Sequence, residues 1–266
     1  MMDLQLNNKV ILVTGGANGI GAAIVRLAAE EGAIPVIVDR DTEATQALEA
    51  SLRNTGRKAC AIALDLSSPD NCAKAVRETL RLCGRLDALV NNAGGNDRVG
   101  LEEGSPSEFV ASLERNLLHC YNMAHFALPA LKQSQGSIVN IGSKTAFTGQ
   151  TGTSGYVAAK GALQALTREW AADLLKYGIR VNAVVPAEVL TSGYQRWLKT
   201  FPDPEQKIES ILDRIPLGRR MTTPEEIAAM VVFLISGRAG HITGQHVFVD
   251  GGYVHLDRAI KHKERT

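Results

Sequence analysis

Val10-Ile11-Leu12-Val13-Thr14-Gly15-Gly16-Ala17-Asn18-Gly19-Ile20-Gly21 runs from an apolar segment through four glycines into a helical pattern within twelve residues. Val10 to Thr14 has the composition of a strand buried on both faces, and helical periodicity starts at Ile20. A turn without side chains lets backbone N–H groups close on a pyrophosphate, and the helix N-terminus adds partial positive charge there. Glycine clusters also mark ordinary tight turns. Here strand, turn, helix and second strand follow in order, so Gly15, Asn18, Gly19 and Ile20 are expected to line a dinucleotide cradle.

The second strand, Ile34 to Asp39, ends on an acid 18 residues beyond Gly21, close to the ~20 at which a carboxylate meets the adenosine ribose hydroxyls. Its charge repels a 2′-phosphate, which selects NAD over NADP. Arg40 could instead pair with such a phosphate, and Asp39 could simply cap the helix that follows.

Further strands are expected at Lys58 to Asp65, Ala88 to Asn91, Ser137 to Ile141, Arg180 to Val185 and His246 to Val249. Helices are expected at Ile20 to Glu31, Thr42 to Asn54, Asn71 to Cys83, Glu108 to Lys132, Ser154 to Tyr177 and Glu225 to Ile235. The alternation predicts an α/β fold, one doubly wound, Rossmann-type parallel sheet of seven strands with helices on both faces. With 266 residues, 45% of them hydrophobic, and no linker or repeat, residues 1–266 read as one domain. Pro186 to Pro224 breaks the alternation, being far longer than the ~2 to 6 residues usual in such connections. It is expected to act as a substrate lid over about 187–223, with short helices between Tyr194 and Leu217.

Twenty-nine Lys+Arg against 28 Asp+Glu leave a net charge of +1, which argues against nucleic acid or anionic lipid as a partner. The longest apolar stretch, Ala228 to Ile235, falls well short of the ~20 residues that cross a bilayer, and no charged-then-apolar leader is visible. The four cysteines and six histidines show neither CxxC nor helical metal-ligand spacing, so a cytoplasmic protein with reduced thiols and no metal is expected.

Tyr156 and Lys160 stand four apart in a helical segment and share one face. An unperturbed tyrosine titrates near pH ~10, so general acid–base work near neutrality calls for a neighbouring cation. Ser143, at the end of the fifth strand, can place its hydroxyl in the same crevice. Asn116 sits within a helical pattern, where asparagine is locally unfavourable and its amide could hold a water. Taken singly, each residue also has an ordinary structural reading as an exposed pair, a cap or an irregularity.

Together, Thr14-Gly15-x-x-x-Gly19-x-Gly21, Asn91-Asn92-Ala93-Gly94, Asn116, Ser143 and Tyr156-x-x-x-Lys160 resemble the short-chain dehydrogenase/reductase family across nearly the whole chain. The resemblance implies hydride transfer between substrate carbon and nicotinamide. Tyr156 would exchange the hydroxyl proton, with Ser143 hydrogen-bonding the same oxygen. Lys160 would favour the tyrosinate and hold the nicotinamide ribose, and Asn116 would anchor a water that passes the proton outward. It further implies that Asn92 and Gly94 border the adenosine side, that Asp65 and Leu66 contact the adenine, and that Pro186, Val189 and Thr191 approach the nicotinamide.

Many family members carry glycine after the proline that ends the sixth strand, whereas this chain reads Pro186-Ala187-Glu188-Val189. With Asn96, Asp97, Lys144, Gln150, Tyr194, Arg196 and Trp197, Glu188 would build a pocket of polar groups beside an aromatic face, suited to a sugar. That set, with Ser143-Lys144-Thr145 and Gly251-Gly252-Tyr253-x-His255-Leu256-Asp257-Arg258, resembles bacterial L-fucose or related aldose dehydrogenases of the same superfamily. An oxoacyl or steroid carbonyl reductase is the alternative, and a non-catalytic dinucleotide sensor a more distant one. The small residues Ala158, Ala159, Gly161, Ala162 and Ala165 suit close helix packing, and tetramers typify the family. Lys261 to Arg265 reads as a solvated, disordered end.

Overall fold

The computed structural model describes residues 2–257, so the expected solvated end at 261–265 and Arg258 lie outside the described residues. Seven strands, β1 Val10–Thr14, β2 Ile34–Asp39, β3 Cys60–Ala63, β4 Ala88–Asn91, β5 Ser137–Ile141, β6 Arg180–Pro186 and β7 His246–Val249, form one sheet. Its order is β3-β2-β1-β4-β5-β6-β7, and every pairing is parallel. The chain reverses its direction across the sheet between β1 and β4, and that switch opens a crevice at their carboxyl ends.

Helices α1 Gly19–Glu30, α2 Thr42–Asn54, α3 Pro69–Cys83, α4 Pro106–Leu113, α5 His119–Ser134, α6 Ser154–Leu174, α7 Ser192–Leu198, α8 Pro204–Leu212 and α9 Pro224–Ile235 complete the fold. Successive strand side chains alternate between the faces. Ile11 and Val13 meet α1, α2 and α9 in one core, and Val10 and Leu12 meet α3, α5 and α6 in the other. A third, smaller core, with Leu198, Ile211, Ile215, Met221 and Tyr253, lies under α7 and α8.

Several expected boundaries move. The strand expected at Lys58 to Asp65 is only Cys60–Ala63, because its one neighbour, β2, ends at Asp39 opposite Ala63. The single helix expected at Glu108 to Lys132 is three pieces. It begins at Pro106, where Ser105 and Glu108 form a capping box, and a π-helical turn over Glu114–Leu118 separates α4 from α5. Asn116 lies in that turn and donates from Nδ2 to the Ser112 carbonyl at 3.1 Å, the kind of side-chain competition that unsettles a regular helix.

All four cysteines are free, with the Cys60 and Cys83 Sγ atoms 3.6 Å apart. Among the described residues, no helix is long and apolar enough to cross a membrane, and no cluster of His, Cys, Asp and Glu is arranged to hold a metal ion.

Candidate active site

The glycine turn between β1 and α1 is shaped for close approach. Gly15 and Gly19 adopt φ of 60° and 53°, a region costly for residues with a Cβ. A Cβ on Gly15 would stand 2.9 Å from the Ala93 Cα, and one on Gly21 would overlap the Gly15 carbonyl oxygen. The end of β4 holds the turn in place. Asn92 donates from Nδ2 to the carbonyls of Thr14 at 3.0 Å and Gly15 at 2.9 Å. In return, Thr14 Oγ1 accepts the N–H groups of Asn92 at 3.0 Å and Ala93 at 3.1 Å. The Asn92 carboxamide is thus turned into the glycine loop it supports.

α1 also begins without a side-chain cap at Asn18 and without an acid in its first turn, whereas α2, α3, α4 and α9 are all side-chain capped. The glycine turn and the uncapped N–H groups together fit the pyrophosphate of a dinucleotide.

Asp39 stands half-buried at the end of β2. Its carboxylate accepts the Ala17 N–H and the Asp41 N–H, both at 3.1 Å, and this fixes it beside the turn. Arg40 is exposed next to it, as is Asp65 beyond β3, while Leu66 is buried. On the other side of the turn, Thr191 packs its methyl 3.2 Å from where a Gly19 Cβ would lie. Pro186 closes β6, and Val189 is buried in a bridge to Thr222.

Across the crevice, α6 carries Tyr156 and Lys160 on one face. Lys160 is 3% exposed, its Nζ donating to the Ile141 carbonyl at 2.8 Å and lying 5.7 Å from the Tyr156 ring centroid. Ser143 caps the short turn Lys144–Ala146, its Oγ accepting from the Thr145 amide at 3.2 Å and hydroxyl at 3.0 Å. That turn packs on α6. Asn116 is fully buried. Its Oδ1 accepts the Gly95 N–H at 2.8 Å, and Nδ2 donates to Asp97 at 3.4 Å as well as to Ser112. These contacts fix the carboxamide between the β4–α4 loop and the end of α4. A Cβ on Gly94 would come 2.8 Å from Asn116 Oδ1, which accounts for glycine there.

Next to Ser143, Lys144 is buried and ion-paired with Glu188. The other Glu188 oxygen accepts the Tyr194 hydroxyl at 2.7 Å. Burial and the Glu188 carboxylate together push the Tyr194 phenol well above its ordinary pKa. The Tyr194 and Trp197 rings meet edge to face at 5.0 Å. Lys144 Nζ also lies 3.9 Å from the Tyr253 ring centroid, so the carboxyl-terminal turn joins the cluster. Tyr253 follows the Gly251-Gly252 pair, both at positive φ, which turns the chain back. Asn96 and Gln150 are not tied into this cluster. Asn96 accepts the Thr153 hydroxyl at 2.5 Å, and Gln150 is exposed with no hydrogen bond among the described residues.

His119, at the start of α5, is buried, and burial together with the Lys160 charge pushes its pKa down to about 4. Unfolding returns it to about 6.5. Protonation therefore favours the unfolded chain, and the stability His119 confers by remaining neutral is present above pH ~6.5 and lost as pH falls toward 4, by up to about 3 kcal/mol. Melting temperatures measured from pH 7 to pH 4 should fall steeply in this window, and His119→Gln should flatten that fall. An unchanged slope in the variant would contradict it.

A family model described as enoyl-(acyl carrier protein) reductase matches residues 15–254. L-fucose dehydrogenase from Bos taurus is 40% identical over 252 residues, spanning 94% of this chain and 91% of that one. A 3-oxoacyl-(acyl-carrier-protein) reductase from Thermotoga maritima is 34% identical, over 94% of this chain and 100% of that one. The crystal structure of Cj0485 dehydrogenase matches with a TM-score of 0.93 at 46% identity, covering 98% of this chain and 100% of that one. With the all-parallel sheet, the dinucleotide turn and the Tyr156-Lys160 face already in place, these likenesses make the chain a member of the short-chain dehydrogenase/reductase family, an oxidoreductase that works with a nicotinamide dinucleotide.

Proposed function

We propose that this protein is an NAD-linked aldose dehydrogenase that oxidises the anomeric hydroxyl of an L-fucose-like pyranose to the lactone. The observation that carries this reading is the partly buried Lys144–Glu188–Tyr194 cluster directly beside Ser143, with Trp197 as its aromatic wall. The L-fucose dehydrogenase relatives add weight to it. Bound in the glycine cradle, the nicotinamide ring supplies the two-electron acceptor. Tyr156 takes the proton of the substrate hydroxyl, and Ser143 Oγ donates a hydrogen bond to the same oxygen. Lys160, anchored on Ile141, keeps a positive charge on the Tyr156 face of α6 and reaches the nicotinamide ribose. Asn116 lies behind them on the path by which the proton leaves. Pro186, Val189 and Thr191 line the nicotinamide side, and Gly94, Asp65 and Leu66 the adenosine side. The segment 187–223 serves as a lid, with α7 and α8 seated on their own small core.

The chain is proposed to work in the cytoplasm as one catalytic domain, and as a homotetramer. Exposed Val110, Leu118 and Tyr121 and the outer edge of β7 offer surfaces for the subunit contacts. Light scattering on the purified protein checks the subunit count.

The deciding experiment is a screen of NAD reduction over aldoses, polyols, hydroxysteroids and hydroxyacyl thioesters at fixed pH. Aldoses should lead. Fastest turnover of a hydroxyacyl thioester would move the protein to the oxoacyl reductases, and NAD binding without turnover of any alcohol would make it a sensor.

Polar groups left unpaired by the wrong ligand cost ~1 to 3 kcal/mol each. Glu188→Ala should accordingly lower kcat/KM on the best aldose by about tenfold or more while leaving a simple alcohol and NAD affinity nearly unchanged. Glu188→Gln, which keeps an acceptor for Tyr194, separates this effect from that of leaving Lys144 buried without its partner. Weakened NAD binding with an intact preference for sugar over simple alcohol would assign Glu188 to the cofactor wall instead.

A further inference from the structure

Asp97 lies in the loop between β4 and α4, and its side chain is only 6% exposed. A carboxylate taken out of water is unfavourable unless its oxygens are hydrogen-bonded. One Asp97 oxygen accepts the Ser112 hydroxyl at 3.0 Å, and the other accepts from Asn116 Nδ2 at 3.4 Å. Arg115, 3.6 Å away and largely exposed, adds a screened attraction. Three segments meet at this carboxylate: its own loop, the end of α4 and the π-helical turn.

The orientation of the Asn116 amide follows from its neighbours. Its nitrogen faces two acceptors, Asp97 and the Ser112 carbonyl, and its oxygen faces the Gly95 N–H. Without Asp97, the carboxamide loses one of the three groups that define it. Ser112 carries the constraint onward to α6, because a Cβ at Gly155 would sit 2.5 Å from its side chain, and Gly155 immediately precedes Tyr156. The Asp97 loop also holds the start of α6 at two points, Thr153 just before it and Gly155 within it. Asn96 accepts the Thr153 hydroxyl, and the Val99 carbonyl accepts the Gly155 N–H at 3.1 Å.

We propose that Asp97 is a positioning residue for the oxidation: by locking the Asn116 carboxamide, it fixes Asn116 in its placement relative to Tyr156, whose helix packs against Ser112. This assignment rests on the reading of Asn116 and Tyr156 as the proton-handling groups. Asp97 acts through Asn116.

Kinetics of Asp97→Ala, Asp97→Asn, Asn116→Ala and the Asp97→Ala/Asn116→Ala double variant, each as the full chain with NAD and the sugar or alcohol turned over fastest in the screen, test this directly. Displacing catalytic groups by a fraction of their contact distance costs about tenfold to a hundredfold in kcat. Asp97→Ala should show that loss with KM for the substrate and Kd for NAD within about twofold of the parent. Asp97→Asn, which keeps the shape and one acceptor, should recover part of it, and it carries the test if Asp97→Ala does not fold. Because Asp97 acts through Asn116, the double variant should be no slower than Asn116→Ala alone. Multiplying losses in the double variant, a parent-like kcat in both Asp97 variants, or a rise in substrate KM at unchanged kcat would each overturn the proposal. Full activity in Asn116→Ala would overturn it too, and would identify the reading of Asn116 as the part that failed. Tyr156→Phe then reports separately on the tyrosine.

Discussion

Tyr156→Phe lowers kcat by about 10² to 10⁴, the loss typical of a positioned acid–base group, while folding and NAD binding stay close to the parent. The structure makes this a clean substitution. Tyr156 is half-buried, and among the described residues its hydroxyl makes no hydrogen bond to protein, so removing that oxygen orphans no buried partner. The ring remains to fill its place beside Lys160. Ser143 and the cofactor cradle are untouched, so weak residual turnover is expected. Measuring kcat, NAD affinity and melting temperature on the same preparation decides the matter. Near-parental kcat in a folded variant would remove Tyr156 from the chemistry.

NAD should bind at least about tenfold more tightly than NADP. A carboxylate and a phosphate about 4 Å apart at an effective dielectric near 20 repel by ~4 kcal/mol before ions and relaxation reduce the figure. Asp39 cannot swing away easily, because the N–H groups of Ala17 and Asp41 both hold it. Asp39→Asn preserves the outline and removes the charge, so it should narrow the preference mainly by improving NADP binding. Titrating both cofactors into parent and variant gives the four dissociation constants required. Equal affinities in the parent protein would take Asp39 out of this role and turn attention to Arg40, which is exposed beside it.

Much of this architecture was legible before any coordinates. Five of the seven strands begin and end where alternation of apolar runs and turns placed them, from Val10–Thr14 to His246–Val249. A buried parallel strand announces itself locally through its composition. The glycine turn was legible for the same reason, since positive φ at Gly15 and Gly19 is a demand of the backbone that few other residues meet. Tyr156 and Lys160 share a face because 3.6 residues make a turn, whatever lies opposite them.

Other features depend on partners that the chain brings from afar. The break at Glu114–Leu118 is invisible to periodicity, because Asn116 is held in place by Gly95 and Asp97 on a different segment. Asn96 accepts the hydroxyl of Thr153, 57 residues away, a contact that no local pattern announces. The pairing of Lys144 with Glu188 spans 44 residues, and Tyr253 joins them from beyond the last strand. Helical and strand periods are properties of neighbouring peptide units, so the order of residues is enough to set them. A buried charge chooses its partner by distance and desolvation across the folded chain, so only tertiary structure decides which polar groups remain for a ligand.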